Sequence, residues 1–334
     1  MNRRDTSSLP TGRLAPSPTG AQHVGNARTY LLAWLSVRSQ GGRVLLRIED
    51  IDSPRIKAGA SEQAIIDLRW LGLDWDEGPD CGGSVGPYVQ TERVEYYRAA
   101  LEKLRQAERV YPCSCTRKDV EEAASAPHLG LEGPVYPGRC AGRSAADANQ
   151  ANALPFAWRF RTSTSPVYFK DRFAGPQNIN VATELGDFVI ARADHLPAYQ
   201  LAVVVDDHAM GVTEVLRGDD LLPSASRQLQ LYDFFGWDAP SFVHVPLVIG
   251  PDGRRLAKRH GDTRLATLRE QGCTPERLVG LLAWSSGLID RPEPVAAREL
   301  ISHFTLAQLP REQFVFTPQM QAELISAGPL SAER

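Results

Sequence analysis

No apolar run in this sequence approaches the ~18 residues that a membrane-spanning helix requires, so none of its segments reads as a transmembrane span. Residues 1–11 hold no apolar stretch of the kind a secretory signal needs, and read as a loose tail. Positive charge is not in excess either. Against 37 Lys and Arg stand 40 Asp and Glu, a formal net charge of −3, so any contact with nucleic acid must come from local basic patches. Cysteine is scarce: there are five in 334 residues, three of them within 28 positions. That pattern suits a metal site better than a disulfide framework, and with it a reducing, cytoplasmic compartment. The length allows two or three domains with a sizeable core.

What the chain does have is centred on Arg13-Leu-Ala-Pro-Ser-Pro-Thr-Gly-Ala-Gln-His-Val-Gly-Asn26. A short apolar run turns at two prolines and a glycine and enters Ala27–Gln40, whose pattern predicts a helix. A strand that feeds a helix through such a turn is where parallel α/β sheets bind phosphates, on backbone N–H groups and the helix N-terminus. His23 and Asn26 are three apart and share a face of the first turn; Gly25 between them leaves room for a nucleotide near the backbone. The plain alternative is a Pro/Gly-rich turn with a stray histidine.

Far downstream, the apolar run Val243–Ile249 and the turn Pro251-Asp-Gly253 lead into the basic loop Arg254-Arg-Leu-Ala-Lys-Arg-His260. A histidine turn plus a late lysine loop is a set of donors suited to in-line attack on the α-phosphate of ATP, where charge builds on the phosphates. Alone, the loop reads first as a solvated basic turn.

Cys113-Ser-Cys115 can turn two thiolates onto one ion, and Cys140, 25 positions on, can close the site. Three thiolates favour zinc, which takes a fourth ligand; by chemistry His128 is a candidate. Cys81 and Cys273 have no partner pattern and read as plain side chains.

Between these motifs the pattern is α/β. Arg43–Ile48 reads as a buried strand that ends in Glu49-Asp-Ile-Asp52, and Lys57–Leu71 and Thr91–Glu108 read as amphipathic helices. Residues 144–194 interrupt it with a short helix and strands at Phe156–Phe160, Val167–Phe169 and Phe188–Ile190. Arg159, Arg161, Lys170, Arg172 and Arg192 there are candidates for phosphate contacts, or simply solvated. The pattern resumes at Leu196–His208, whose closing Asp-Asp-His is expected at a cleft edge. Val212–Leu216 follows as a strand, Ser224–Trp237 as a helix and Phe242–Ile249 as the last strand. Arg217 is the group suited to grip a substrate carboxylate with two bonds, unless it pairs with Asp219 or Asp220. Short helices are expected at Thr263–Gln271, Pro275–Gly287, Val295–His303 and Arg311–Ile325.

Taken together, the two loops resemble the paired signatures of class I aminoacyl-tRNA synthetases. His23-Val-Gly-Asn26 matches the His-Ile-Gly-His element, and Arg255-Leu-Ala-Lys-Arg259 the Lys-Met-Ser-Lys-Ser element, with Lys258 on its second lysine. Arg13–Gly20 is similar to the glutamyl branch, and the resemblance runs from about Gly12 to about Leu288. Asn26 departs from the second histidine, so it donates a hydrogen bond without charge; Ala257 and Arg259 stand where serines are usual.

The resemblance implies an α/β fold: a class I synthetase Rossmann-like parallel sheet, an inserted zinc-containing acceptor-type subdomain and a small helical C-terminal domain of the stem-contact kind. The division expected is a tail at 1–11, catalytic halves at 12–112 and 196–250, the insertion at 113–195, and the Lys loop with its helices at 251–334. It implies glutamate contacts at Arg13, Leu14, Ala15, Pro16, Ser17, Glu49, Tyr199 and Arg217, with Glu49 on the α-amino group. ATP contacts are implied at His23, Gly25, Asn26 and Lys258, with His23, Asn26 and Lys258 catalytic, and Mg²⁺ accompanies the nucleotide. For the fourth zinc ligand it picks Tyr136, in a Cys113, Cys115, Tyr136, Cys140 set.

Full-length members carry an anticodon-binding domain after the Lys loop, where here roughly 70 residues remain. The shortened members of the branch activate L-glutamate without tRNA and esterify it onto the queuosine in the anticodon stem-loop of tRNA(Asp). That is the activity expected, in a monomer. The alternatives are a truncated enzyme that charges tRNA(Glu) and an inactive RNA-binding paralogue.

Overall fold

The computed structural model describes residues 9–18, 21–51, 56, 58–116, 118–120, 135–149, 155–256, 262–326 and 328–330. Lys258, His128, Ala257 and Arg259 lie outside the described residues.

Strand β1 (Thr11–Leu14) leads through the proline turn into α1 (Val24–Arg38), and β2 (Arg43–Leu46) returns parallel to β1, with Arg13 opposite Leu45. Helix α1 starts three residues earlier than its apolar pattern suggests because His23 caps it. It ends at Arg38, and the turn into β2 runs through Gly41, whose φ of 68° suits glycine, and Gly42, where a Cβ would meet the Pro10 carbonyl oxygen at 2.3 Å. Helices α2 (Ala60–Trp70) and α3 (Val94–Gln106) follow.

β3 (Val110–Cys113), β4 (Ala157–Phe160) and β7 (Phe188–Ala191) form an antiparallel sheet in that order. Between β4 and β7 come the hairpin β5 (Val167–Asp171) and β6 (Gly175–Ile179) and the short helix α4 (Val181–Glu184). Strand β6 and α4 had no apolar alternation to announce them.

The apolar run at Leu196–His208 is a helix, α5 (Tyr199–Ala209), and it corrects the expectation for its end. Asp206 and Asp207 are buried and ion-paired in the interior, while His208 is exposed with its ring stacked on Trp237. β8 (Glu214–Gly218), α6 (Leu222–Phe235) and β9 (Ser241–Val245) form a second parallel unit, in which Arg217 sits opposite His244. β1 and β8 lie side by side: Thr213 donates its N–H to the Thr11 carbonyl at 2.8 Å, and Thr11 donates to the Thr213 hydroxyl at 2.9 Å.

The expected last strand breaks at Pro246, which has no N–H to give a ladder. Its second piece, β10 (Val248–Ile249), pairs in parallel with β11 (Phe314–Val315), so the start of the expected helix at Arg311 is extended chain. α7 (Leu265–Glu270) and α8 (Pro275–Ser285) are helices as expected, Ala297–His303 is a 3₁₀ helix, and α9 (Pro318–Ile325) starts at the Thr317 cap. The main core lies where α1 meets the sheet and these C-terminal helices, with Leu31, Trp34 and Leu35 in the same apolar cluster as Leu278, Leu282 and Trp284. This explains why α1 is apolar nearly all round. Among the described residues no helix is long and apolar enough to cross a membrane.

Candidate active site and metal centre

The carboxyl ends of β1 and β8 and the start of α1 enclose a cavity of about 510 Å³, within the size range of small-ligand sites. Nine of the residues named from sequence line it: Arg13, Ala15, Ser17, His23, Gly25, Asn26, Glu49, Tyr199 and Arg217. Leu14 and Pro16 do not line it. Leu14 is core, and their carbonyls accept the backbone N–H groups of Arg47 and Glu49 at 2.9 and 3.0 Å. They therefore hold β2 and its carboxylate in place rather than face the cavity.

The α1 end is a capping box. His23 Nδ1 accepts the Gly25 N–H at 3.1 Å, and Asn26 Oδ1 accepts the His23 N–H at 3.3 Å. Gly25 permits this fold-back, since a Cβ there would stand 3.1 Å from the imidazole Cε1. Burial, helped by the charge of Arg255, lowers the His23 pKa to about 4. The ring is then neutral at pH 7, and with Nδ1 accepting, the proton sits on Nε2, free to donate. Asn26 likewise keeps its amide NH₂ for a ligand.

The two sequence motifs meet through backbone pairing. Val24 donates to the Thr263 carbonyl at 3.1 Å and Leu265 to the Gln22 carbonyl at 2.9 Å, so the segment after the Lys loop lies on the first motif. Arg255 reaches the same cavity and pairs with Asp220 at 2.8 Å.

Arg217 is 5% exposed and does not pair with Asp219 or Asp220. Its Nε donates to His244 Nε2 (2.9 Å), one terminal nitrogen to the Tyr199 hydroxyl (3.2 Å), and the other to the Leu221 carbonyl (3.3 Å) and Gln228 Oε1 (3.0 Å). All four acceptors are neutral, so a buried guanidinium charge faces the cavity without a carboxylate on these bonds. Glu49 is held by Arg47, which also bonds Asp207 at 2.7 Å and is fully buried. Burial alone would lower the Arg47 pKa, but Asp207, Glu49 and Asp206 outweigh it and raise it well above the usual value. Arg13 Nε lies 3.5 Å from Asp207 and has no hydrogen-bond partner among the described residues.

Sequence reasoning did not single out Gln22, Thr29 or Tyr30, which also line the cavity. Thr29 and Tyr30 are three and four positions after Asn26, so the helical repeat already placed them on its face. Arg47 and His244 were not singled out either: Arg47 meets Asp207 across 160 positions, and His244 meets Asp171 across 73 and Arg217 across 27.

The second cluster fits a metal. The sulfurs of Cys113, Cys115 and Cys140 all lie within 4.8 Å of one another, with Cys115 and Cys140 at 3.7 Å. Thiolates on one tetrahedral ion, each ~2.3 Å from it, stand about 3.8 Å apart. The Tyr136 hydroxyl lies 3.4 Å from the Cys113 sulfur and 3.7 Å from that of Cys115, and accepts the Cys140 N–H at 2.8 Å. Burial pushes the Cys140 thiol up, but hydrogen bonds from Tyr136, the Ser114 backbone and Cys115, with the charge of Arg143, bring it down to about 7. Arg159 donates to the Cys113 sulfur at 3.3 Å and lies over the Tyr136 ring, a counter-charge for bound thiolates. It is thus committed to this centre. Arg161 is committed to the Ala141 and Arg143 carbonyls, Arg172 to Glu214 and Arg192 to Asp194. If the cluster holds a metal, Cys115→Ser is expected to abolish its binding, read as metal content per chain by mass spectrometry, while Cys273→Ser, in the apolar core, leaves that content unchanged.

A family model described as tRNA synthetases class I (E and Q), catalytic domain, matches residues 11–319. A protein named Glutamyl-Q tRNA(Asp) synthetase from Symbiobacterium thermophilum is 54% identical over 319 residues, which cover 95% of this chain and 97% of that one. One of the same name from Rhodopirellula baltica is 56% identical over 308 residues, 89% of each. The crystal structure of a glutamate tRNA ligase from Elizabethkingia meningosepticum, in complex with its amino acid, aligns with a TM-score of 0.80 at 30% identity, over 95% of this chain and 69% of that one. By its cavity, its cysteine cluster and these matches, the chain belongs to the class I tRNA synthetases of the E and Q type and is an enzyme of the ligase class.

Proposed function

We propose that this chain activates L-glutamate with ATP in the absence of tRNA, and then transfers it to the queuosine of tRNA(Asp). The observation that carries the amino-acid part is Arg217: a buried guanidinium, bonded only to neutral acceptors, in the cavity that also holds Glu49 and the His23 turn. An acidic side chain supplies the missing anion, and the Glu49 carboxylate receives the α-ammonium. The transfer part is supported by relatives with the glutamyl-Q name at 54% and 56% identity.

In the first step an oxygen of the glutamate α-carboxylate attacks the ATP α-phosphorus in line. The bond to the bridging oxygen breaks and pyrophosphate leaves with Mg²⁺. His23 Nε2–H and the Asn26 amide follow the growing phosphate charge; Lys258 joins them on the motif match alone. Holding both reactants in one cavity makes the attack effectively unimolecular, and no protein nucleophile is needed. In the second step a hydroxyl oxygen of queuosine attacks the carbonyl carbon of the mixed anhydride; the ester bond forms as the bond from that carbon to the phosphate oxygen breaks, and the hydroxyl proton goes to the phosphate of the departing AMP.

Catalytic halves at 12–112 and 196–250, an insertion at 113–195 and a terminal unit at 251–334 are the division this reading adopts, with a Rossmann-like sheet formed by the two parallel strand pairs. Zn²⁺ is the metal assigned to Cys113, Cys115, Cys140 and Tyr136, with a structural role. This reading takes the chain as a monomer in the cytoplasm.

The test is acylation of tRNA(Asp) with and without queuosine. Glutamate should be esterified only to the modified tRNA, and ATP–pyrophosphate exchange should run on glutamate alone. Charging of tRNA(Glu) with an absolute tRNA requirement for exchange would point to an ordinary glutamyl enzyme, and no glutamate-dependent exchange to an inactive paralogue.

A further inference from the structure

We propose that Asp171 and His244 are positioning residues for Arg217: they hold its guanidinium in the orientation that receives the substrate carboxylate, and so set the affinity for the acidic amino acid. This rests on the reading of Arg217 given above.

A chain of directed bonds runs from Asp171 through His244 to Arg217. Asp171 ends β5 and is 1% exposed. Its Oδ1 accepts the backbone N–H groups of Phe173, Ala174 and His244 at 2.9, 2.7 and 3.2 Å. Its Oδ2 lies 2.6 Å from His244 Nδ1. Burial would raise the Asp171 carboxyl, but the bonds from His244 and the backbone hold it below its usual range, so it is ionised and only accepts. The proton of the imidazole therefore sits on Nδ1. Burial lowers the His244 pKa against the pull of Asp171, which leaves a neutral ring with a lone pair on Nε2. That lone pair accepts Arg217 Nε–H at 2.9 Å.

Neither Asp171 nor His244 lines the cavity. Their effect must pass through Arg217, whose two terminal nitrogens are then aimed by Tyr199, Leu221 and Gln228. The device also joins the β5–β6 hairpin to the amino-acid pocket, since Arg172 next to Asp171 donates its backbone N–H to Phe242 of β9 at 2.9 Å.

Asp171→Asn keeps shape and changes one atom. The three backbone donors retain its oxygen, so its NH₂ faces His244 Nδ1. The ring must then accept at Nδ1 and carry its proton on Nε2, against Arg217 Nε–H, donor to donor. The expected result in ATP–pyrophosphate exchange is a KM for glutamate raised about 10- to 100-fold, with KM for ATP and kcat within about threefold of the parent. His244→Gln and His244→Leu compare two side chains, one able to accept from Arg217 and one not. Glutamate KM should be lower in the glutamine variant by about tenfold. Equal glutamate KM in these two, or parental values in Asp171→Asn, would overturn the proposal. So would a parallel rise of KM for ATP and fall of kcat and melting temperature, which marks a merely structural role. Arg217→Lys separates the two layers. If it leaves glutamate KM unchanged, the reading of Arg217 fails. If it raises glutamate KM while the His244 pair stays equal, only the positioning role fails.

Discussion

Arg217→Ala is expected to lower kcat/KM for glutamate by about 30- to 5,000-fold in ATP–pyrophosphate exchange, the equivalent of about 2–5 kcal/mol. The range follows from what the truncation leaves behind. The substrate carboxylate would be buried opposite His244, Tyr199 and Gln228, none of which carries a positive charge to replace the guanidinium. KM for ATP should hardly move, because the His23 turn and Arg255 are on other elements of the cavity wall. Discrimination against glutamine should fall with it, since the neutral amide loses less than the carboxylate does. A kcat/KM ratio of glutamate to glutamine equal to the parent's would show that specificity is read elsewhere.

Arg47→Met should destabilise the fold by about 3–5 kcal/mol. Arg47 is fully buried, bonded to Glu49 at 2.8 Å and Asp207 at 2.7 Å, with Asp206 at 3.8 Å. Without it three carboxylates share an interior in which Arg93 bonds Asp206 and Arg13 only approaches Asp207, at 3.5 Å. Methionine keeps much of the volume, so the effect is one of uncompensated charge and not of a cavity. Urea denaturation reads it as a lower midpoint at an unchanged slope. Replacing Asp207 by Asn in the same chain should restore part of the loss; no recovery would mean that packing, not charge, was what Arg47 supplied.

Legibility from sequence followed the range of the interactions. The strand–turn–helix around His23 was readable because its cap, glycine and apolar run are contiguous, and the register of α1 was missed by only the capped first turn. The cysteine cluster was readable because ligand chemistry is specific even when the loop between is not. Arg217 was legible as a suitable group, but its lack of an acidic partner depends on Asp220 turning to Arg255, 35 positions away. The closing Asp-Asp-His of α5 misled because charge at the end of an apolar run usually means solvent. Here Asp206 meets Arg93 across 113 positions and Asp207 meets Arg47 across 160, pairings with no local trace. Pro246 had a local signal, the missing donor, that the continuous apolar run concealed.

The imidazole of His23 uses one ring nitrogen to finish a helix and leaves the other toward the cavity. On the proposed reading, turnover and folding are served there by opposite edges of a single five-membered ring. The familiar conflict between a durable enzyme and a fast one does not arise at this position, because the same loss would handicap both. On that reading a substitution at His23 is penalised twice, whereas Asn26 shows a residue whose oxygen completes the cap while its nitrogen stays free for the ligand.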